Sequence, residues 1–142
     1  MIFFQKLTNK FWFIPPLILL SSQFKIVSVK GRSMSPTLNP NTHKENDYIL
    51  TFATFNVEKN DICVFIHPDY PNIMVCKRVE AVGGDLVLNN GKVERVPDGM
   101  FWATSDEPFH SSDSKDFGPV PLGLIKGKAL GIVWPFDRFK SL

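Results

Sequence analysis

Residues 61–79 read DICVFIHPDYPNIMVCKRV, and this stretch decides the fold. Two apolar runs rich in β-branched residues, 62–66 and 73–79, flank a turn over 67–72 that contains two prolines and an aspartate. Apolar runs separated by turn residues are typical of a β-hairpin. The sequence therefore predicts two antiparallel strands here, with alternate side chains on each face.

Further strands are predicted on both sides of this hairpin. Residues 24–30 alternate apolar and polar side chains up to Gly31, and Asn90-Gly91 between two short apolar runs is the strongest short hairpin signal in the chain. Outside the N-terminal segment no stretch has a long helical period. The predicted fold is mainly β, with strands over residues 24–30, 47–55, 62–66, 73–79, 86–88, 92–96, 100–103 and 128–134.

The size and charge of the chain limit its possible functions. With 142 residues it fits one domain that can bury a proper core. The formal net charge is +2, and the charges are interspersed without a basic stripe or an acidic tail. The sequence therefore predicts no nucleic-acid partner.

The N-terminal segment is apolar and has lysines on both sides. Its uncharged core, residues 11–20, is shorter than the roughly 20 residues of a membrane-spanning helix and contains two adjacent prolines. We expect residues 1–25 to be an uncleaved membrane anchor or interfacial segment with a short hydrophobic helix, followed by a globular domain over residues 26–142. A cleaved targeting signal and an apolar strand packed on the domain are the alternatives.

The two cysteines, Cys63 and Cys76, lie on the two strands of the predicted hairpin. In a symmetrical hairpin they face each other, which leaves a disulfide as an alternative. Two buried thiols are favoured, because free cysteine is commonly buried as a small apolar side chain. No Cys-x-x-Cys or Cys/His cluster is present, so no zinc site is predicted.

A serine with an exposed hydroxyl is predicted directly after the first strand. Residues 31–38 read GRSMSPTL, which places Ser33 between a strand end and a turn fixed by Pro36. This arrangement presents a hydroxyl together with backbone N–H groups, as a nucleophile with an oxyanion hole requires. Ordinary turn chemistry is the commoner reason for serine before proline, so Ser33 alone does not define a site.

Lys77 is the one polar side chain in an apolar row. Positions 73, 75, 77 and 79 share a strand face, and the other three are Ile or Val. Burial disfavours the ammonium and lowers the pKa of a lysine, which would leave a neutral amine as a base. A lysine that extends to water at a sheet edge is the alternative. Arg78, on the opposite face, is predicted to be exposed.

Three segments together resemble the type I signal peptidases in order and spacing. They are SMSPTL at 33–38, KRV at 77–79 leading to Gly84-Asp85, and SSDSK at 111–115 followed by FGPV at 117–120. The resemblance runs from about residue 27 to residue 138. The short length, PVPLGL at 119–124 and Trp134-Pro135 with Arg138 look most like subunit 2 of the mitochondrial inner membrane peptidases.

The resemblance implies roles for four residues: Ser33 as nucleophile, Lys77 as general base, Ser111 as a hydroxyl that helps to orient the lysine, and Asp113 as an acidic support. Two segments depart from the family pattern. Residues 105–107 are Ser-Asp-Glu where the family has Gly-Asp-Asn, and Lys115 stands where the family has an arginine. Serine lacks the freedom of glycine at positive φ and lysine cannot form a bidentate pair, so both departures predict a less rigid site.

The resemblance also implies a fold of twisted antiparallel sheets forming a partial barrel, and a membrane-bound serine endopeptidase that needs no metal or organic cofactor. Its expected substrates are proteins with cleavable sorting segments, delivered to the mitochondrial intermembrane space. The expected location is the mitochondrial inner membrane, with the catalytic domain facing that space and a related peptidase subunit as partner. Because residues 105–107 are altered, a catalytically inert or impaired partner subunit is the alternative function.

A self-cleaving repressor with the same Ser/Lys chemistry would need a DNA-binding domain. The apolar N-terminal segment offers no helix-turn-helix, so this function is disfavoured.

Overall fold

Antiparallel strands make up most of the computed structural model, which describes residues 22–40, 45–107, 109 and 111–142. The strands are β1 (Phe24–Ser28), β2 (Tyr48–Phe52), β3 (Ile62–Ile66), β4 (Met74–Val82), β5 (Leu86–Asn89), β6 (Lys92–Arg95), β7 (Met100–Thr104), β8 (Val120–Pro121), β9 (Ile125–Trp134) and β10 (Lys140–Ser141). Short helical segments lie at α1 (Ser114–Phe117), Leu122–Leu124 and Phe136–Arg138. The prediction of a mainly β fold is confirmed.

Eight strands form one sheet in the order β1-β2-β9-β3-β4-β7-β8, with β10 paired to β9. Among the described strands, β1 pairs only with β2, and β4 pairs with β7 only from Arg78 onward. The outer edge of β1 and the first half of β4 are therefore unpaired on one side within these ranges. An unpaired edge offers backbone N–H and C=O groups to another chain.

The register of the β3–β4 hairpin differs by one residue from the symmetrical prediction. Cys63 lies opposite Lys77 and not opposite Cys76. The His67 N–H donates to the Ile73 carbonyl at 2.9 Å, which continues the same register one step beyond the two strands. A shift of one residue reverses the face of a strand, so the two cysteines point to opposite faces.

Both thiols are free, so the alternative of a disulfide is wrong. Cys63 is fully buried, as predicted, and Cys76 is half-buried. Burial raises the pKa of each thiol to about 12. Neither thiol is therefore a reactive thiolate near neutral pH.

The predicted Asn-Gly hairpin is confirmed in β5 and β6. Asn89 pairs with Lys92, which leaves Asn90 and Gly91 as a two-residue turn. Their φ angles are +50° and +79°. A two-residue turn with φ positive at both positions matches the right-handed twist of the strands it joins.

Two apolar clusters lie on opposite faces of the β3–β4 hairpin. The first packs the loop after β1 against β2, β3 and β9, and consists of Val29, Met34, Leu38, Ile49, Ile62, Val64, Ala129 and Ile132. The second lies between β3, β4, β7 and the residues that follow α1, and consists of Val57, Cys63, Phe65, Val79, Phe101, Ala103, Val120 and Ile125. Lys77 shares its strand face with the second cluster.

The predicted N-terminal helix within residues 1–25 falls almost wholly outside the described residues. The sheet begins at Phe24, so the last two residues of that segment belong to β1. Within the described ranges no helix combines the length and apolar character needed to cross a bilayer. The division into residues 1–25 and 26–142 stays a prediction.

Candidate active site

The loop that carries Ser33 is fixed by two buried side chains. We define the Ser33 loop as residues 31–39. Met34 and Leu38 are 1% and 0% exposed and belong to the first core cluster. Gly31 turns the chain out of β1 with a φ of +84°, a conformation that favours glycine. Ser33 lies between Gly31 and Met34, half-buried, at the wall of a pocket.

A buried carboxylate closes the far end of the Ser33 loop. Asp47 is 0% exposed, and it exchanges two hydrogen bonds of 2.8 Å with Asn39. The Asn39 amide also donates to two backbone carbonyls at the start of the loop, at 2.8 and 3.0 Å. Arg138 donates to both carboxylate oxygens of Asp47 and, at 3.2 Å, to the Thr37 carbonyl. Arg138, near the end of the sequence, therefore fixes the end of the Ser33 loop through its contacts with Asp47 and Thr37.

Lys77 is buried, as the row of apolar neighbours suggested. Its relative exposure is 4%. Burial lowers the pKa of the Lys77 ammonium, while the negative charges of Asp113 and Asp116 act in the opposite direction. The net effect is a pKa below that of an ordinary lysine, so the alternative of a lysine extended to water does not apply.

The hydroxyl that contacts the lysine belongs to Ser105. Lys77 Nζ donates to Ser105 Oγ at 2.9 Å. Ser111, to which the resemblance gave this contact, instead donates its hydroxyl to the Glu107 carbonyl at 2.7 Å. Ser105 is also not among the described residues with positive φ, so serine is accommodated there without backbone strain. The backbone at this position therefore does not need the conformational freedom of glycine.

Asp113 supports the site through backbone groups. Its side chain is buried and caps α1 by accepting from the Lys115 N–H at 3.0 Å. The other carboxylate oxygen accepts from the Ser105 N–H at 3.2 Å. In the described chain the Lys115 side chain forms no ion pair with Asp113, and Lys115 is exposed. Asp113 is thus held by two backbone N–H groups and not by a basic side chain.

Arg78 is half-buried and ion-paired, so the prediction that it faces solvent is wrong. Its guanidinium donates twice to Asp106 at 2.8 Å and once to Thr37 Oγ1 at 3.2 Å. Thr37 in turn donates to Asp106 at 2.6 Å. Burial by itself raises the pKa of Asp106, but the hydrogen bonds from Arg78 and Thr37 outweigh it and leave the pKa below its ordinary value. Sequence reasoning missed this link between β4 and the Ser33 loop.

One pocket brings Ser33 and Lys77 together. It has a volume of about 260 Å³ and is lined by residues 27–30 of the β1 end, Ser33, Val64 and residues 74–77 of β4. Within the described residues no hydrogen bond joins Ser33 to Lys77. In enzymes without substrate such contacts are often long, and they tighten on binding.

No group of three His, Cys, Asp or Glu side chains in the described ranges could hold a metal ion. The chemistry that the described pocket itself offers is a hydroxyl next to an amine with a lowered pKa.

Comparison with known proteins identifies the family. The family model for signal peptidase, peptidase S26, matches residues 8–94, a range that includes both Ser33 and Lys77. Subunit 2 of the mitochondrial inner membrane protease from Mus musculus is 37% identical over 124 residues, covering 82% of this chain and 71% of that protein. The Saccharomyces cerevisiae subunit 2 is 36% identical over 137 residues, covering 89% and 77%.

Subunit 1 of the same protease is also related. The Xenopus tropicalis protein is 34% identical over 128 residues, covering 83% of this chain and 74% of its own length. With a family model that matches more than half of the chain, and relatives more than 30% identical over most of it, this chain belongs to the signal peptidases of the peptidase S26 family.

Proposed function

We propose that this chain is a membrane-bound serine endopeptidase that removes sorting segments from proteins delivered to the mitochondrial intermembrane space, with Ser33 and Lys77 as its catalytic dyad. The observation that carries this proposal is Lys77, a lysine that is 4% exposed and has a lowered pKa, in the wall of the pocket that contains Ser33. Turn chemistry alone explains the serine but gives no reason to bury a lysine beside it.

In the proposed mechanism the neutral amine of Lys77 takes the proton of Ser33 while Ser33 Oγ attacks the scissile carbonyl carbon. In the described part of the chain the Ser33 N–H donates to no acceptor, so it is available to the oxyanion that forms. Collapse of the tetrahedral intermediate leaves an acyl ester on Ser33, and the leaving amine takes the proton from Lys77. Lys77 then activates the water that releases the acyl group.

The substrate is proposed to bind as an extended strand. The pocket lies between residues 27–30 at the end of β1 and residues 74–77 of β4, the two stretches that keep an unpaired edge among the described strands. Backbone hydrogen bonds to such edges hold an extended peptide, and small pockets between them select its side chains. A volume of about 260 Å³ with Val64 in its wall suits small apolar residues before the cut.

The proposals for membrane attachment and for a partner subunit are based on the relatives. Residues 1–25 are proposed as the anchor and residues 26–142 as the catalytic domain. The relatives are named as subunits 1 and 2 of a mitochondrial inner membrane protease. On this basis we propose that this chain lies in that membrane, with its catalytic domain facing the intermembrane space and a related subunit as its partner.

A catalytically inert or impaired partner subunit is the second candidate function. The observation that favours it is the missing hydrogen bond between Ser33 and Lys77 within the described residues. An inert subunit keeps the fold and the pocket but does not form an acyl-enzyme. Labelling of Ser33 by a serine-directed acylating probe, located by mass spectrometry, separates the two functions.

The proposed function is tested by replacing Ser33 in the full-length chain, purified with and without the related subunit. Ser33→Ala should lower kcat for cleavage of a membrane-tethered precursor by at least about 10³-fold, because the nucleophile is lost. Ser35→Ala is the matched control from the same loop and should be mild, since we expect only local turn contacts from its side chain. Near-normal cleavage by Ser33→Ala would place the nucleophile elsewhere.

A further inference from the structure

The strand register places position 105 directly opposite Lys77. In the β4–β7 pair, Arg78 lies opposite Thr104 and Val79 opposite Ala103. One step further in this antiparallel register brings residue 105 opposite residue 77. Directly opposed side chains of antiparallel strands have Cβ atoms about 4.5–5.5 Å apart. The side chain at position 105 therefore lies next to the side chain of Lys77.

The side chain present at position 105 uses that contact. The Lys77 amine donates one N–H to Ser105 Oγ at 2.9 Å. A neutral amine has a single lone pair, and an N–H that is directed at Ser105 leaves the lone pair free to point elsewhere. Since Lys77 and Ser33 line the same pocket, the lone pair can turn toward the Ser33 hydroxyl.

Position 105 is itself held in place. The Ser105 N–H donates to the buried Asp113 carboxylate at 3.2 Å. Two residues earlier, the Ala103 N–H donates to the buried Ser114 hydroxyl at 2.8 Å. These two bonds fix the end of β7 against the start of α1, so the backbone that carries the Ser105 hydroxyl is held in place.

We propose that Ser105 is the positioning residue that orients the Lys77 amine, and that Ser111 does not share this task. Ser111 donates its hydroxyl to the Glu107 carbonyl at 2.7 Å. The inference rests on the proposed function, because orientation matters only if Lys77 is the base. It assigns a role to the position at which this chain departs from the glycine of the family pattern.

The charges that face Lys77 set the expected sign of the titration test. The carboxylates of Asp113 and Asp116 act from the α1 segment. Cys76, on the same strand, and Cys63, directly opposite on β3, are thiols whose pKa burial raises to about 12, so they are uncharged near neutral pH. All four remain in the variants used below. A hydrogen bond from Nζ to a hydroxyl favours the charged amine, so removal of that hydroxyl should lower the pKa of Lys77 further.

The test uses the full-length chain in detergent with ¹³C-labelled lysine, and Lys77→Met assigns the Lys77 Cε signal. Ser105→Ala should lower the titration midpoint of that signal, and Ser105→Thr, which keeps a hydroxyl, should restore it. Ser111→Ala should leave the midpoint unchanged, as should Ser112→Ala, the exposed neighbour used as control. If Ser105→Ala does not fold, Ser105→Gly removes the same hydroxyl with the residue of the family pattern.

Kinetics provide the second measurement. Ser105→Ala should lower kcat by about 10- to 100-fold and change KM by less than about twofold, because a misdirected base affects the chemical step and not substrate binding. The proposal is overturned if Ser105→Ala changes neither kcat nor the Lys77 midpoint, or if Ser111→Ala moves that midpoint as far. If the proposed function fails, the Ser33→Ala variant still cleaves the precursor. The Lys77 titration does not depend on catalysis, so the two failures can be distinguished.

Discussion

Removal of the Arg138 side chain should destabilise the domain, because Arg138 holds the buried end of the Ser33 loop. The guanidinium donates to both oxygens of Asp47 and to the Thr37 carbonyl. Asp47 is 0% exposed, whereas 21% of the Arg138 side chain is exposed. Arg138→Ala therefore leaves a fully buried carboxylate without its cation, a change that typically costs about 3–5 kcal/mol.

The exposed part of Arg138 sets the expected value within this range. Water can enter the space that the side chain leaves and solvate Asp47 in part, so we expect about 3 kcal/mol, the lower end. For a domain of this size that loss lowers Tm by at least about 10 °C. Tryptophan fluorescence of the full-length chain during thermal and urea unfolding measures it. Arg95→Ala removes an exposed arginine from β6 and should change stability by less than about 0.5 kcal/mol.

A second substitution isolates the cause. If the uncompensated charge produces the loss, Asp47→Asn added to Arg138→Ala should recover part of it, because an amide carries no charge. The recovered stability should be accompanied by recovered cleavage, since Asp47 also pairs with Asn39 at the end of the Ser33 loop. The reasoning is refuted if Arg138→Ala costs less than about 1 kcal/mol, or if the double variant is no more stable than the single one.

Three further predictions follow from the site and the N-terminus. Because burial lowers the pKa of Lys77, kcat/KM should rise with pH through that lowered pKa and reach its plateau below the pKa of an ordinary lysine. The free energy of unfolding should rise between the pKa of Lys77 in the folded chain and its pKa in the unfolded chain, because in that interval only the unfolded chain binds the proton. Lys77→Arg should be inactive, unlike the exposed control Lys126→Arg. Asp106→Asn should lower the free energy of unfolding by about 1 kcal/mol at neutral pH. In the parent chain the stabilisation by Asp106 is present above the ordinary aspartate pKa and should disappear as the pH falls through the lowered pKa of Asp106. Equal stability of the two proteins at neutral pH would contradict this. Deletion of residues 1–23, which leaves β1 intact, should release the chain from membranes, and retention after alkaline extraction would contradict the anchor.

The strands were predictable where periodicity extends over several residues. Every strand predicted from the sequence has a counterpart in the structure, including the Asn-Gly hairpin of β5 and β6. β8 and β10 have two residues each, too few to show a period, and they are strands only because β7 and β9 supply partners. Such short edge pieces are determined by tertiary contacts and not by local sequence.

The candidate site was predictable at the level of residue types but not of pairings. Burial of Lys77 followed from the apolar row, since side chains alternate along a strand. Its partner did not, because the role of Ser111 was implied by the family resemblance, whereas Ser105 is brought to Lys77 by the β4–β7 register. That register, which includes an irregularity after Val79, does not follow from the predicted strand bounds 73–79 and 100–103.

The segment 105–107 links the two halves of the proposed dyad. Ser105 binds the Lys77 amine, and Asp106 holds Arg78 of β4 together with Thr37 of the Ser33 loop. The Glu107 N–H donates to the Ser33 carbonyl at 3.0 Å. Three consecutive residues thus contact both the strand that carries the base and the loop that carries the nucleophile. The separation of Ser33 and Lys77 therefore depends on this short segment, and substitutions within it can alter catalysis without changing either reacting group.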